Sequence, residues 1–375
     1  MIYFDNAATS QYRPKCVIDA AVNAFACPAN PGRSGHYDAV NAALTVHSAR
    51  EAVKKLVNNP DAEVVFTKNC TEALNLAILG TARQGHVITT VTEHNSVLRP
   101  LFELQRAGTI RLTVLDTESG TIKPSTVERK ICPDTYMIAI NHASNVTGAI
   151  NDIAEIGKII SKQGIILLVD GAQSLGHIAF DMRSLGADII ASAGHKGLHG
   201  AQGTGFLCYN KRLKIRPIFF GGTGTESEST YQPKTPPESL ESGTVNTPGI
   251  AALGAGINWT LNNFEKINSK IQTLCAYITE ELKRIPQVEL FCQSNLGVIS
   301  LRVGGCSSSQ ISDILNDRYG IAVRSGLHCA PLMHKSLNTF STGLTRISVG
   351  YNNTMREAKT LVRAIREIAA ETIDK

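Results

Sequence analysis

The chain has 375 residues, 43% hydrophobic and 18% charged, a composition that predicts about two packed domains and argues against disorder. Its 37 Lys+Arg and 32 Asp+Glu leave a net charge of +5 with no basic run, so neither nucleic acid nor a membrane is expected as a partner, whereas a small anionic ligand is compatible. Nine cysteines without a C-x-x-C pair, an amino terminus (MIYFDNAATS) unlike a secretory signal, and apolar runs far below ~20 residues predict a soluble cytoplasmic protein with reduced thiols.

Short runs rich in Val, Ile and Leu recur at 63–67, 86–91, 110–115, 136–141, 165–170, 188–193 and 205–209, as strands buried on both faces do. Amphipathic segments at 71–80, 96–107 and 152–162 lie between them. The last carries Ile153, Ile156, Ile159 and Ile160 as one helical stripe. The alternation predicts an α/β fold with a large, doubly wound, mostly parallel seven-stranded sheet. Residues 221–249, rich in Gly, Ser, Thr, Glu and Pro, read as a long loop that is functional or mobile. A helical stretch follows over 250–284 and ends at Pro286. The remainder reads as a smaller α+β domain whose last helix opens on the capping-box pattern Thr354 to Glu357. The expected organisation is an N-terminal segment (1–20) packing on the small domain, a large domain (21–285) and the small domain (286–375).

Ligands of open α/β sheets bind at the carboxyl ends of strands. No standard nucleotide-binding glycine loop follows any of these strands. One strand ends in Asp170, and the next runs into Gly194-His195-Lys196. Taken singly, these are a helix cap and a loop lysine. Together they fit pyridoxal phosphate, which needs a lysine to bond its aldehyde and a carboxylate to hold its pyridine nitrogen protonated. Cys70-Thr71-Glu72, after a strand and opening a helix, offers a phosphate cup, and His94 a ring to stack on the cofactor. His195 and His199 are four apart, but glycines interrupt any helix there, so no metal is expected. Cys329 lies in a loop with Arg324, His328 and His334 nearby in sequence, a setting that favours thiolate. Arg346 is suited to fork onto a carboxylate.

These motifs taken in order resemble the pyridoxal-phosphate-dependent, class V aminotransferase-like cysteine desulfurases. They are Tyr3 to Thr9 (YFDNAAT), Cys70-Thr71-Glu72, Glu93-His94-Asn95, Ser144 to Gly148, Val169 to Gln173, Gly194-His195-Lys196, Glu241 to Thr244, Arg324 to Ala330, and Arg346. The arginine-led segment before Cys329 is similar to the second desulfurase group, which includes selenocysteine lyases. The resemblance implies an aspartate aminotransferase-like (type I) fold and pyridoxal 5'-phosphate as cofactor. Lys196 would be the cofactor lysine, Asp170 the pyridinium partner, Gln173 the contact to the phenolic oxygen and His94 the stacking ring. Thr71 and His195, with Cys70 in the same cup, would surround the phosphate. Thr244 would reach the other subunit's phosphate, which implies a homodimer. Asn145 and Arg346 would hold the substrate carboxylate beside the cofactor, and His36 would line the pocket. The family pattern has Ser or Thr at position 193 and His at 327; here these are Ala193 and Leu327.

The expected activity is conversion of L-cysteine to L-alanine, with sulfur passed as a persulfide on Cys329 to an acceptor protein. The alternatives are a selenocysteine lyase acting on L-selenocysteine, another lyase or transaminase of this fold, and a non-catalytic scaffold.

Overall fold

The computed structural model describes residues 1–32, 34–117, 120–291 and 296–371. Seven of its strands form one sheet: β2 (Glu63–Thr67), β3 (Gly85–Thr90), β4 (Ile110–Leu115), β5 (Thr135–Asn141), β6 (Ile166–Asp170), β7 (Ile189–Ala193) and β8 (Gly205–Tyr209). Their spatial order is β2-β8-β7-β6-β5-β3-β4, and only β8 runs antiparallel to its neighbours. All seven strands stand where the apolar runs predicted them. Alternate residues enter two cores. Val64, Ile88, Ile138, Val169 and Ile190 face one, and Val65, Val87, Met137, Leu168 and Ile189 the other. Burial on both faces is why the runs are continuous rather than alternating.

Helices Tyr37–Leu56, Ile153–Ile160 and Thr247–Asn262 cover the first face, and Cys70–Thr81 and Asn95–Arg106 the second. Each starts where a side chain accepts a free backbone N–H: Asn69 takes Glu72 N–H at 2.9 Å and Asp152 takes Glu155 N–H at 2.9 Å. From β3 the chain passes outward to β4, whereas β5 lies on β3's other side. The crevice between the ends of β3 and β5 is thus a topological switch point, where ligands of such sheets bind.

A third core is built on an antiparallel sheet of β9 (Val288–Leu290), β10 (Val298–Val303), β12 (Arg324–Gly326) and β13 (Leu344–Ser348). The final helix, Met355–Glu371, buries Ala358, Leu361, Val362, Ile365 and Ile368 there, and Thr354 and Glu357 form the expected reciprocal cap. β1 (Ile2–Tyr3) pairs in parallel with β11 (Ile321–Ala322), and Phe4 enters the same core. The stretch expected as one helix over 250–284 is two, Thr247–Asn262 and Phe264–Lys283. The second buries Ile267, Ile271, Leu274, Ile278 and Leu282 in the C-terminal core. The first packs on the large sheet, so the change of core falls at Asn263, within the stretch expected as the large domain. Periodicity could not place the break, because both helices carry an apolar stripe and differ only in which core receives it.

The long loop is tied down at Glu241. Its carboxylate takes both Arg50 guanidinium nitrogens, at 2.8 and 2.5 Å, and the Phe66 N–H at 2.6 Å. Among the described residues no disulfide occurs and no helix is long and apolar enough to cross a membrane; Cys292 lies outside them.

A glycine inside a helix normally costs about 1 kcal/mol relative to alanine. Gly157 should reverse that rule, because a Cβ there would lie 2.1 Å from the Leu185 carbonyl oxygen. Gly157→Ala is expected to lower stability by about 1–3 kcal/mol, the range for overpacking, as a reduced urea midpoint. An unchanged or raised midpoint would show that the Leu185 turn yields freely.

Candidate active site

A cavity of about 220 Å³ opens at the switch point. Its walls are strand ends of the large sheet, the N-terminal residues Ala7 and Ala8, and Arg324, His328 and Arg346 from the C-terminal unit. Cys70, Thr71, His94, Asn145, Asp170, Gln173, His195, Lys196 and Arg346, all named from sequence, line it together. A larger depression of about 570 Å³ lies between helices Lys15–Ala26, Tyr37–Leu56 and Thr247–Asn262. Its walls are mainly Ala, Asn, Ser and Thr, and only Asp38 and Cys27 there can ionise. The chemistry converges on the smaller space.

Register sets the geometry. Asn141 of β5 pairs with Asp170 of β6, so both side chains arrive at one level of the sheet. Asp170 Oδ1 accepts the Ala172 N–H at 2.9 Å and faces the Cys70 thiol at 3.6 Å. The thiol of Cys70 thus points to the carboxylate rather than to a phosphate, and what this residue offers an anion is its first-turn amide. Burial, then Asp170, pushes that thiol well above its ordinary pKa. Burial pulls the Lys196 ammonium down, against the opposing pull of Asp170. The neutral amine, the form that attacks an aldehyde, is thereby favoured.

The cavity histidines are neutral for the same reason. Burial lowers His94 to about 4, His195 to about 4 and His328 to about 2. His94 Nδ1 accepts the Ser96 N–H at 3.1 Å and lies 2.8 Å from its hydroxyl. Gln173 donates to the Ala7 carbonyl at 3.1 Å. Buried His195 Nδ1, His328 Nδ1 and Arg346 Nε have no partner among the described residues. A cavity with a lysine, a carboxylate, free helix-start amides and orphaned ring nitrogens fits an anionic aromatic aldehyde such as pyridoxal phosphate.

Arg346 is no surface residue. It is 1% exposed, donates to Asp5 at 3.0 Å and to the Asn145 carbonyl at 3.1 Å, and keeps Nε unpartnered. Asn145 donates its own amide to the His328 carbonyl at 2.7 Å. Cys329 follows, exposed and outside the cavity wall, with its carbonyl accepting the Asn95 N–H at 2.7 Å. His334 lies not beside the thiol but behind His328, its ring stacked at 5.6 Å and its Nδ1 2.8 Å from the Thr339 hydroxyl. The expected loop there contains a short helix, Pro331–Ser336.

Besides Cys329, two predicted residues do not join the group. His36 is exposed and caps helix Tyr37–Leu56, accepting the Ala39 N–H at 3.3 Å. Thr244 lines a separate depression with Lys68 and Phe219. His199, the other half of the rejected metal pair, bonds to the Ser10 hydroxyl at 2.9 Å. Sequence reasoning missed Ser96, Asn141, Asp5 and Glu93. Glu93 is fully buried, and its Oε1 accepts the Thr90 hydroxyl at 2.7 Å and the Asn141 N–H at 3.0 Å. Burial raises it to about 8. Its position beside His94 in a strand-end motif was the available signal.

The chain matches the aminotransferase class-V family over residues 2–361 and belongs to it. Within that family it is 35% identical to a probable cysteine desulfurase of Methanothermobacter thermautotrophicus, over 98% of this chain and 94% of that one. It is 33% identical to a probable cysteine desulfurase of Pyrococcus abyssi over 98% and 94%. In structure it is similar to the apo cysteine desulfurase of Thermococcus onnurineus, with a TM-score of 0.92, 33% identity and coverage of 99% and 95%.

Burial also sets a pH dependence. His142, His177 and His199 are each lowered to about 4, like His94 and His195. Unfolded histidines bind protons near ~6.5, so the unfolded state protonates first and these groups lose stability as pH falls from about 6.5 toward 4. Glu93 acts oppositely: the folded state holds its proton up to about 8, so its contribution declines as pH rises from about 4.5 to 8. The urea midpoint should therefore be lower at pH 5.5 than at 7. Glu93→Gln should flatten the decline between pH 6.5 and 8, and an unaltered slope there would mean that Glu93 ionises normally.

Proposed function

We propose that this chain is a pyridoxal-phosphate-dependent cysteine desulfurase that converts L-cysteine to L-alanine and receives the sulfur on Cys329. The observation that carries the reading is that Cys329 and His328 are tied by their own carbonyls to Asn95 and Asn145. Asn145 lines the cavity holding Lys196 and Asp170, and Asn95 stands between His94 and Ser96, which line it too. A transaminase needs no thiol held at that mouth.

Bound there, pyridoxal phosphate would act as an electron sink for the substrate amino acid. Lys196 would bond its aldehyde, and Asp170 would keep its pyridine nitrogen protonated. The neutral ring of His94 suits stacking, and Thr71 with the first amides of helix Cys70–Thr81 suits the phosphate. Arg346, through its unpartnered Nε, and Arg324 offer positive charge to the substrate carboxylate. Lys196 Nζ, whose charged form burial disfavours, would take the Cα proton and return it to Cα once the sulfur has left. The Cys329 thiolate then attacks the substrate sulfur. An S–S bond forms, the Cβ–S bond breaks, and its electron pair stays with Cβ, which gains a proton. Cysteine and one thiol thus become alanine and one persulfide, with no external oxidant. The persulfide, on an exposed residue, would pass to a sulfur-acceptor protein. A homodimer in which Thr244 reaches the partner's phosphate, as the family resemblance implies, is compatible with the placement of Thr244 outside its own cavity.

Lys196→Ala should abolish turnover while leaving cofactor affinity measurable. Cys329→Ala should abolish alanine formation from L-cysteine yet retain much of the activity on L-selenocysteine, because a selenol leaves more readily than a thiol. Full desulfurase activity in Cys329→Ala would sink the persulfide route, and a strong preference for selenocysteine in the wild type would favour the lyase reading. Arg346→Lys replaces a fork by a point charge. It should raise KM for cysteine by about tenfold or more, as loss of a charge-assisted hydrogen bond implies. An unchanged KM would remove Arg346 from substrate binding.

A further inference from the structure

Thr71 and Ser96 carry the only two hydroxyls among the residues lining the cavity. They come from different strand ends, after β2 and after β3, yet their oxygens lie 2.7 Å apart. Ala193, at the end of β7, brings only a methyl group to the same space. Two helices start at this point, but they offer an anion different things. Helix Cys70–Thr81 has its first-turn amides of Cys70 and Thr71 without intrahelical acceptors. Helix Asn95–Arg106 has none to offer: its Asn95 N–H goes to the Cys329 carbonyl at 2.7 Å and its Ser96 N–H to His94 Nδ1 at 3.1 Å. What the second helix presents is the Ser96 hydroxyl.

Hydrogen accounting points the same way. Thr71 and Ser96 have one hydroxyl hydrogen each, and the bond between them uses only one. His94 Nδ1 already has the Ser96 amide hydrogen, so the ring stays oriented without the hydroxyl. The Ser96 O–H can also point to His94 Nδ1, 2.8 Å away, but that nitrogen has a single lone pair that the Ser96 amide hydrogen can hold, so one O–H of the pair can turn to an acceptor in the cavity. A phosphate, acceptor-only at each oxygen, can take both if the mutual bond opens.

We propose that the Ser96 hydroxyl is a ligand of the cofactor phosphate, acting as a pair with Thr71. Ser96 supplies the second hydroxyl that Ala193 does not. This rests on the reading that the cavity holds pyridoxal phosphate. The pairing also joins the phosphate end of the site to the stacking ring, since Ser96 touches both Thr71 and His94.

The test compares pyridoxal phosphate with pyridoxal, which lacks only the phosphate. Dissociation constants are measured by absorbance titration of the full chain stripped of cofactor. Ser96→Ala should weaken pyridoxal phosphate about tenfold or more, the loss of one hydrogen bond to a charged group, and leave pyridoxal unchanged. Ser96→Thr, which keeps the hydroxyl, should bind both as the wild type does. Equal losses for both ligands in Ser96→Ala would overturn the proposal and make Ser96 a residue that acts only through His94. No loss for either would also overturn it. A wild-type chain that bound neither ligand would defeat the cofactor reading itself, and this proposal with it.

Discussion

A buried guanidinium holds the two halves of the cavity in register. Arg346 belongs to the C-terminal sheet, Asp5 to the N-terminal segment and Asn145 to the large sheet's switch point, and the three meet through bonds of 3.0 and 3.1 Å. Replacing such a pair by apolar residues can be neutral, but removing one partner typically costs about 3–5 kcal/mol, because a desolvated charge is left alone. Its value here is therefore geometric. The N-terminal segment extends the same junction. Phe4 O accepts the Ser348 N–H at 2.6 Å, Ala7 N–H goes to the Ser348 hydroxyl at 2.9 Å, Gln173 donates to Ala7, and Ser10 N–H reaches the His195 carbonyl at 3.0 Å. Ten residues at the start of the chain thus stitch the small core to the Asp170 and Lys196 loops.

Desolvation by the surrounding protein tunes the groups inside. It neutralises His94, His195 and His328, favours the neutral amine of Lys196, and holds Glu93 in its acid form. Arg324 and Arg346 remain the cationic members of the wall, with Asp170 facing Lys196 across it. A site of that balance attracts ligands carrying carboxylate and phosphate while keeping its histidines unprotonated.

The Cys329 turn shows strain balanced by anchoring. His328 and Cys329 both have left-handed backbones, with φ of 50° and 57°. Non-glycine residues there cost about 1–2 kcal/mol each. Two hydrogen bonds of 2.7 Å, from Asn145 and Asn95 to successive carbonyls, oppose that cost. Asn145 lines the cavity and Asn95 lies between His94 and Ser96, which also line it, so the direction of an exposed thiol is coupled to the residues that would hold cofactor and substrate.

Much of this was legible in one dimension. Strands and helices declare themselves through local periodicity, and Asp170 and Lys196 lie at strand ends that the apolar runs mark. The roles of Asn141, Glu93, Ser96 and Asp5 were not legible, since each depends on a pairing register or on contact between residues far apart in sequence. Asn141 looks like any polar strand end until it pairs with Asp170. Ser96 gains meaning only when the starts of two helices converge. The direction of the Cys70 thiol, the helix break at Asn263 and the distance of Thr244 and His36 from their own cavity were likewise decided by packing. Sequence by itself determined which elements form and which chemical groups stand at their ends. Only the tertiary structure decided where those groups point, because side-chain direction follows from register and burial between segments as distant as Asp5, Asn145 and Arg346.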